Sequence, residues 1–191
     1  GVMDFKVGQS VAFFMGFGAF AEKIVVPAEL AFPIPKELPH SVAAGIFMVY
    51  GTSYHALVQR ANIGKNDEVL VLGAAGGVGL AAIDIAKSFG ARVVAAVSTK
   101  EKAGVCAGYG VDDIVVYGEK KLDKDGQRAL TKELKSKSIR GGYSIIYDPV
   151  GDCFAEPALR SVGWGGTYLV VGFAAGKIPS FPTNLMLLKG C

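Results

Sequence analysis

Cysteine is scarce in this sequence, with three residues among 191. Cys106, Cys153 and Cys191 lie far apart and include no C-x-x-C pair, which excludes a disulfide framework and a zinc knuckle. An odd and sparse set of this kind is typical of reduced thiols in an intracellular protein. The chain also has one tryptophan, no arginine-rich run and a net charge of only +3, so we expect no nucleic-acid partner.

Long hydrophobic runs are also missing. The longest uncharged apolar stretch covers residues 69–83, whereas a membrane span requires roughly 18 such residues, and neither end resembles a signal peptide. We therefore expect a soluble protein without a membrane partner. Its expected location is the cytoplasm, or the mitochondrion if a targeting peptide precedes this chain. The first residue is not Met and the chain stops after an apolar run at residues 185–188, so we expect a fragment.

Small and apolar residues are abundant, with 26 glycines and 51% hydrophobic residues, the composition of a buried, turn-rich α/β core. The apolar run at residues 69–72 changes at residue 73 into small residues. A helical period of three and four then begins, with apolar residues at Val78, Ala82, Ile85 and Phe89. The pattern predicts a strand, a tight turn and a helix.

Residues 73–79, which we call the glycine turn, contain the spacing of a dinucleotide-binding motif. Gly76 and Gly79 occupy the third and sixth positions of G-x-G-x-x-G, and Ala74 replaces the first glycine. Gly76 lets the backbone approach a phosphate, Gly79 lets the helix pack against the strand, and the helix amino end attracts anions. We predict a diphosphate site formed by Ala75, Gly76, Gly77, Val78 and Gly79. The alternative is a strand–helix turn that binds nothing.

The end of the second strand selects the cofactor in such a sheet, because an acidic residue there binds the free 2′-hydroxyl of NAD. Ser98 occupies this place, about 20 residues after Gly79, and is followed by Thr99, Lys100 and Lys102. Hydroxyl groups and lysines suit a 2′-phosphate, so the sequence predicts NADP(H). In the alternative, the two hydroxyl residues only cap the next helix, which leaves its first-turn lysines unfavourable against the helix dipole.

Strands alternate with helices along most of the chain, which predicts an α/β fold with a doubly wound parallel sheet of the Rossmann type. The predicted strands cover residues 68–72, 92–97, 113–116, 143–147 and 166–171. Besides the helix after the glycine turn, helices are predicted over residues 100–109, 119–137 and 154–162. A loop is expected over residues 172–182.

The beginning of the chain, residues 1–44, predicts an all-β piece that is too short for an independent core. We expect a turn and a strand within residues 5–13, a second strand at residues 21–27, and no regular element around the prolines that follow. Ser41 is predicted to be the N-cap of a helix over residues 42–59 that is interrupted near Gly51.

Several short motifs occur along the chain, and none is specific alone. They are Phe5-Lys6-Val7-Gly8, residues 20–28, Ala43-Ala44, residues 50–57, the glycine turn, Ser98-Thr99, residues 148–151, and residues 170–173 with 182–184. Together they resemble the zinc-independent quinone oxidoreductase branch of the medium-chain dehydrogenase/reductase superfamily, over nearly the whole chain. Enoyl and alkenal reductases are near relatives of that branch.

The resemblance implies a division into two domains. Residues 1–44 would be the C-terminal part of a GroES-like catalytic domain, and residues 45–191 an NAD(P)-binding Rossmann domain without its last strand and closing helix. Relatives pair through that last strand, so the resemblance also implies a homodimer for the full-length protein.

The resemblance also assigns cofactor contacts. It places Thr52 near the nicotinamide ribose and the phosphates, Lys102 near the 2′-phosphate, and Tyr117 at the adenosine phosphate end. The residues that would border the nicotinamide are Val150, Gly172, Phe173 and Ala174. The alternatives are a capping role for Thr52 and ordinary core or turn roles for Tyr117, Val150 and Phe173.

No metal site is predicted. Zinc-dependent relatives carry a ligand cysteine four residues before the threonine that matches Thr52, and this chain has Met48 there. A thioether is a poor zinc ligand. His40 and His55 have no cysteine or acidic residue spaced to complete a site with them.

These residues together predict a function. Without a Lewis acid an alcohol is hard to oxidise, whereas NADPH can donate hydride to an acceptor that is already electrophilic. We therefore predict an NADPH-dependent oxidoreductase for a small-molecule quinone or α,β-unsaturated carbonyl substrate, although this fragment alone need not be active. No catalytic side chain is identified, and the proton would come from the absent N-terminal half or from water.

Two alternatives remain open at this point. One is an NADP(H)-binding module without turnover, such as a redox sensor or a structural protein. The other is a methyltransferase-like domain, which also has a glycine turn after its first strand. Ser98 argues against the methyltransferase-like domain, because resemblance to that family implies an acidic residue at the end of the second strand.

Overall fold

The computed structural model of the protein describes residues 4–191, so the first three residues of the predicted all-β piece lie outside the described range. Contacts divide the chain into two compact units, Gly1–Gly51 and Thr52–Cys191. Each unit is built around its own sheet.

The first unit contains a two-stranded antiparallel sheet. A turn in which the Gln9 N–H donates to the Lys6 carbonyl (3.0 Å) leads into β1 (Val11–Phe13), as predicted. Its partner is β2 (Ala31–Pro33), which follows a short 3₁₀ turn at Ala28–Leu30. The prediction of a strand at residues 21–27 is wrong. The composition of this stretch favours a strand, but β1 pairs with β2 instead. Strand formation depends on the partner that the backbone meets more than on intrinsic preference.

A long helix follows. It begins as α1 (His40–Tyr54) and continues through a wider, π-helical segment, His55–Arg60, where the Ala61 N–H donates to the Ala56 carbonyl (3.0 Å). The predicted N-cap role of Ser41 is wrong, since Ser41 lies inside the helix and the N–H groups of Val42 and Ala43 bond to the Pro39 carbonyl. A proline preset at φ near −65° begins a helix without a side-chain cap.

The helix also shows no break at Gly51, contrary to the sequence prediction. The segment His40–Arg60 is long and apolar enough to cross a membrane by length and composition alone. A single helix of this kind is weak evidence for a membrane protein, because core helices of soluble proteins meet the same criterion.

The second unit is a parallel five-stranded sheet with the strand order β5-β4-β3-β6-β7. Its strands are β3 (Glu68–Leu72), β4 (Arg92–Val97), β5 (Asp113–Val116), β6 (Tyr143–Asp148) and β7 (Val162–Val170). The helices are α2 (Gly77–Ser88), α3 (Lys100–Ala107), α4 (Lys124–Lys137), α5 (Ala155–Arg160) and α6 (Thr183–Lys189). The predicted Rossmann architecture is confirmed.

Most element boundaries agree with the sequence prediction, and a few differ. Helix α4 does not begin at residue 119, because Asp123 caps it by accepting a hydrogen bond from the Gly126 N–H (2.8 Å). Strand β7 begins four residues earlier than predicted and β6 includes Asp148. Residues 183–189 form a helix, α6, that the sequence analysis did not predict.

The core of the second unit lies on both faces of the sheet. All five residues of β3 are buried, and its apolar residues alternate between two clusters. Val69 and Val71 pack on the side of α2, whereas Leu70 and Leu72 pack on the side of α4 and α5. Burial on both faces explains why the strands are continuous hydrophobic runs.

One charged residue is buried at the amino edge of the sheet. Glu68, 1% exposed, accepts a hydrogen bond from Arg92 (Nη1–Oε1, 2.6 Å). The Ser138 hydroxyl donates to its other oxygen at 2.9 Å, and the Ile139 N–H donates to Oε1 at 3.1 Å. This carboxylate therefore ties β3, β4 and the loop before β6 together.

We expect Arg92→Ala to lower the free energy of unfolding by about 3 kcal/mol, because the carboxylate of Glu68 would stay buried without its cation. Urea titration of the full-length protein measures the change. Arg128→Ala is the control, since its ion pair with Asp125 is 80% and 88% exposed and should contribute about 0.5 kcal/mol or less. Equal losses in the two variants would contradict the prediction.

Candidate functional site

The glycine turn connects β3 to α2 and is fixed by main-chain hydrogen bonds. The Gly76 N–H donates to the Gly73 carbonyl (2.9 Å), and the Ala74 N–H donates to the Ala96 carbonyl of β4 (3.2 Å). Gly73 adopts a positive φ of 55°, which favours glycine. Ala74, which replaces the first glycine of the motif, is fully buried in the apolar cluster beneath α2. The departure from the motif is therefore accommodated by the core.

Gly79 is the position at which the helix presses most closely on the turn. A Cβ atom on Gly79 would lie 2.6 Å from the Gly73 carbonyl oxygen and 2.7 Å from that of Ala74. Both contacts are to main-chain atoms, which cannot move aside as a flexible side chain could. A Cβ on Gly76 would lie 3.3 Å from the Gly73 oxygen, a tighter contact than usual but not a clash.

The amino end of α2 has no side-chain cap. Its first hydrogen bond is from the Leu80 N–H to the Gly76 carbonyl (2.8 Å), so the preceding N–H groups have no acceptor within the helix. Free N–H groups and the positive end of the helix dipole together attract anions.

A cavity of about 420 Å³, which we call the crevice, opens at the carboxyl ends of the parallel strands, next to the glycine turn. Its lining comes from the chain that follows each of the five strands. The lining residues are Gly73, Ala75, Gly76, Val97, Ser98, Lys102, Tyr117, Gly118, Glu119, Val150, Phe154, Ala174 and Ala175.

Half of the predicted cofactor residues line the crevice, namely Ala75, Gly76, Ser98, Lys102, Tyr117, Val150 and Ala174. The others lie beside it without lining it, or farther along the same elements: Thr52, Gly77, Val78, Gly79, Thr99, Gly172 and Phe173. The lining residues that the sequence analysis missed are Gly73, Val97, Gly118, Glu119, Phe154 and Ala175. Gly73 was the only one of these within a recognised motif.

The end of β4 brings hydroxyl and ammonium groups together. The Lys102 ammonium donates to the Ser98 hydroxyl (2.9 Å), and both residues line the crevice. Thr99 caps α3 by accepting a hydrogen bond from the Lys102 N–H (3.3 Å). The capping alternative therefore describes Thr99, whereas Ser98 and Lys102 present a hydroxyl and a cation to the cavity.

Tyr117 and Phe154 form an aromatic wall, with ring centroids 4.7 Å apart and planes tilted by 44°. Burial and the negative charge of Asp148 raise the pKa of Tyr117 to about 12. A hydrogen bond with the Gly73 backbone lowers this pKa but does not offset the increase. The phenol is therefore neutral at physiological pH.

Two loops meet at the far side of the crevice: the β6 loop, residues 149–151, and the β7 loop, residues 171–182. The Ala174 N–H donates to the Pro149 carbonyl (3.0 Å) and the Ala175 N–H donates to the Val150 carbonyl (3.0 Å). The Asp148 carboxylate accepts hydrogen bonds from the N–H groups of Val150 (2.7 Å) and Gly151 (2.9 Å). Hydrogen bonds therefore join the two loops into one wall of the crevice.

Thr52 lies on α1, half-buried, at the start of the second unit. Its neighbour Ser53 is fully buried and donates to the Val78 carbonyl in the first turn of α2 (2.9 Å). Ser53 also shares a hydrogen bond with the Tyr147 hydroxyl (2.8 Å). The sequence analysis missed Ser53, which links α1 to the helix that begins at the glycine turn.

Within residues 4–191, no group of three or more His, Cys, Asp and Glu side chains is placed to hold a metal ion. His40 bonds to the Ser10 hydroxyl (Nε2–Oγ, 3.4 Å), and His55 bonds to Gln59 (Nδ1–Oε1, 2.6 Å). Met48 is exposed on α1.

Comparison with known proteins identifies the class. A family model described as zinc-binding dehydrogenase matches residues 77–191, more than half of the chain. Quinone oxidoreductase-like protein 2 from Mus musculus is 37% identical over 190 residues, which cover 98% of this chain and 52% of the relative. Prostaglandin reductase-3 from Bos taurus is 31% identical over 186 residues, which cover 97% and 45%.

Among solved structures, the quinone oxidoreductase from Thermus thermophilus, determined also in complex with NADPH, is 26% identical with a TM-score of 0.80. The similarity covers 97% of this chain and 56% of that chain. The chain spans about half the length of the curated relatives it matches. It belongs to the zinc-binding dehydrogenase family. Within that family it falls in the quinone oxidoreductase-like branch of the medium-chain dehydrogenase/reductase superfamily, as predicted from its motifs.

We expect Gly79→Ala to destabilise the full-length protein by about 2–3 kcal/mol, because the added methyl group would overlap two carbonyl oxygens and push α2 away from β3. Denaturant titration measures the change. The matched control is Gly104→Ala in α3, where a Cβ would meet nothing within 4 Å. That variant should be neutral or more stable by up to about 1 kcal/mol, and equal destabilisation of both would refute the close contact.

Proposed function

We propose that the full-length protein is an NADPH-dependent oxidoreductase that transfers hydride to a quinone or an α,β-unsaturated carbonyl compound without a catalytic zinc ion. The observation that supports this most directly is the crevice. On one side of it lies the glycine turn, which has no room for a side chain at Gly79. On the other side, after β4, the Ser98 hydroxyl and the Lys102 ammonium group line the crevice.

The residues present fit an NADP(H) molecule. The uncapped amino end of α2 supplies N–H groups for a diphosphate, and Gly76 at its N-cap presents bare backbone to the crevice. Ser98 and Lys102 supply a hydroxyl and a positive charge for a 2′-phosphate. The relative from Thermus thermophilus is described in complex with NADPH, which agrees with this choice of cofactor.

Positioning is the contribution that these residues make to the reaction. When bound, NADPH supplies the hydride. The amino end of α2 and Lys102 offset phosphate charge, and Val150 with the β7 loop forms the wall that would border the reactive ring. We assign no proton donor among the described residues and propose that it lies elsewhere in the full-length protein or is water.

The absence of zinc is proposed from the chemistry of the donor set. Met48 offers a thioether where zinc-dependent relatives have a cysteine, and a thioether is a poor zinc ligand. An acceptor that is already electrophilic needs no Lewis acid, which favours quinones and enones over alcohols. The proposal also includes a homodimer that pairs beyond Leu188, no membrane or nucleic-acid partner, and a cytoplasmic location.

We expect the full-length protein to bind NADPH more tightly than NADH, and Lys102→Ala to reduce that preference about tenfold. A hydrogen bond to a charged group contributes roughly 1.5 kcal/mol, and about 1.4 kcal/mol corresponds to a factor of ten in affinity. Fluorescence titration at low salt measures both dissociation constants, because salt screens an exposed lysine.

Lys132→Ala serves as the control for this experiment, since Lys132 is an exposed lysine on α4 that does not line the crevice. It should leave both dissociation constants within about twofold of wild type. Equal affinities of the wild-type protein for NADPH and NADH would rule out the proposed role of Ser98 and Lys102.

We expect the full-length protein to reduce quinones and enones with NADPH but not to oxidise alcohols with NADP⁺. A zinc chelator should leave the rate of reduction unchanged. Elemental analysis of the same full-length preparation should show no stoichiometric catalytic zinc. Loss of turnover on removal of one bound zinc per chain would refute the zinc-independent reaction. Tight NADPH binding without turnover of any acceptor would instead favour a non-catalytic NADP(H)-binding module.

A further inference from the structure

We propose that Asp148 and Tyr168 act as a positioning pair that sets the wall of the crevice at its reactive end. The inference rests on the proposed function, because it concerns where the β6 and β7 loops stand relative to a bound dinucleotide. Neither residue lines the crevice, and we ascribe their effect on turnover to the loops that they hold.

Asp148 is the last residue of β6 and is 1% exposed. Its Oδ1 accepts the N–H groups of Val150 (2.7 Å) and Gly151 (2.9 Å) in the β6 loop. Its main-chain carbonyl accepts the N–H groups of Val171 (2.8 Å) and Gly172 (3.2 Å) in the β7 loop. One residue therefore fixes the start of both loops.

Tyr168, near the carboxyl end of β7, completes the arrangement. Its hydroxyl donates to Asp148 Oδ2 (2.7 Å) and lies 3.3 Å from the Ala155 carbonyl at the start of α5. Its ring packs against Phe181 of the β7 loop, with centroids 5.2 Å apart. The phenol thus holds the second oxygen of the carboxylate, which leaves the first oxygen aimed at the β6 loop.

The wall that this pair holds is in direct contact with the glycine turn. A Cβ atom on Gly73 would lie 2.7 Å from Val150 Cγ2, so Val150 packs against the bare backbone at the start of the turn. Val150 and Ala174 both line the crevice. A shift of the β6 loop would therefore change the distance between the wall and the turn, and a misplacement of about 1 Å can reduce a rate about 100-fold.

Tyr168→Phe tests the pair, because it removes only the hydroxyl and keeps the ring that packs on Phe181. Tyr143→Phe is the matched control, since Tyr143 is a buried tyrosine of β6 whose hydroxyl donates to the Leu134 carbonyl (2.8 Å), remote from the crevice lining. Each variant removes one tyrosine hydroxyl together with its hydrogen bonds, so a general loss of stability affects both.

Two readouts are measured on the full-length protein: amide hydrogen exchange of Val150, Gly151 and residues 171–176 without cofactor, and kcat for NADPH-dependent reduction of a benzoquinone. We expect Tyr168→Phe to accelerate exchange in both loops and to lower kcat at least tenfold. Affinity for adenosine 2′,5′-bisphosphate, which probes the other end of the crevice, should stay within twofold. Tyr143→Phe should change neither loop exchange nor kcat.

The conservative variant Asp148→Asn adds a rescue test. Its amide oxygen can still accept the two N–H groups of the β6 loop, and its amide nitrogen can donate to the Tyr168 oxygen, so kcat should stay within about threefold of wild type. Asp148→Ala, if it folds, should lose at least as much activity as Tyr168→Phe.

Equal loop exchange and equal kcat in Tyr168→Phe and Tyr143→Phe would overturn the positioning pair, and so would faster exchange with an unchanged kcat. If wild-type protein binds NADPH but reduces no acceptor, the proposed reaction fails. The exchange measurement then decides the pair alone, because it needs neither cofactor nor turnover.

Discussion

The structure depends on the contact between the Gly79 backbone and the carbonyl oxygens of Gly73 and Ala74. This contact has no room for a side chain, so it brings the first turn of α2 directly onto the end of the central strand. The uncapped helix end then lies at the edge where the parallel strands finish, beside the crevice. A dinucleotide site needs this combination of bare backbone and free N–H groups. A larger residue at Gly79 would push α2 away from the turn and separate the two.

The buried charged residues of the described chain, Glu68 and Asp148, lie at opposite ends of the sheet and have different roles. At the amino edge, the ion pair of Glu68 and Arg92 ties β3 to β4. At the carboxyl edge, Asp148 accepts hydrogen bonds from the Tyr168 hydroxyl of β7 and from backbone N–H groups of the β6 and β7 loops, so its effect is on the wall of the crevice. Both carboxylates are buried and satisfied by hydrogen-bond donors, but that of Glu68 stabilises the sheet whereas that of Asp148 fixes the geometry of the loops.

Sequence patterns predicted what is decided locally. The bounds of β3, β4 and β5 follow from short apolar runs. Motif spacing predicted Gly76 and Ser98, whereas Lys102 was predicted from its charge and from the family resemblance; all three line the crevice. Features that depend on distant partners were missed: β2 was assigned to the wrong residues because composition does not reveal what pairs with β1. Glu119 and Phe154 follow no motif, and the hydrogen bond between Asp148 and Tyr168 joins strands whose register is set only in the folded sheet.

The strand order has a consequence for biosynthesis. β3 is central and pairs with β4 on one side and β6 on the other, yet β6 begins only at Tyr143, after α3, β5 and α4 have been made. On the ribosome, one edge of the most apolar strand therefore stays open while the intervening chain emerges. Open strand edges template pairing between chains, and parallel sheets close slowly because their contacts are distant in sequence. The nascent protein is most vulnerable to aggregation in that interval, when protection by chaperones matters most.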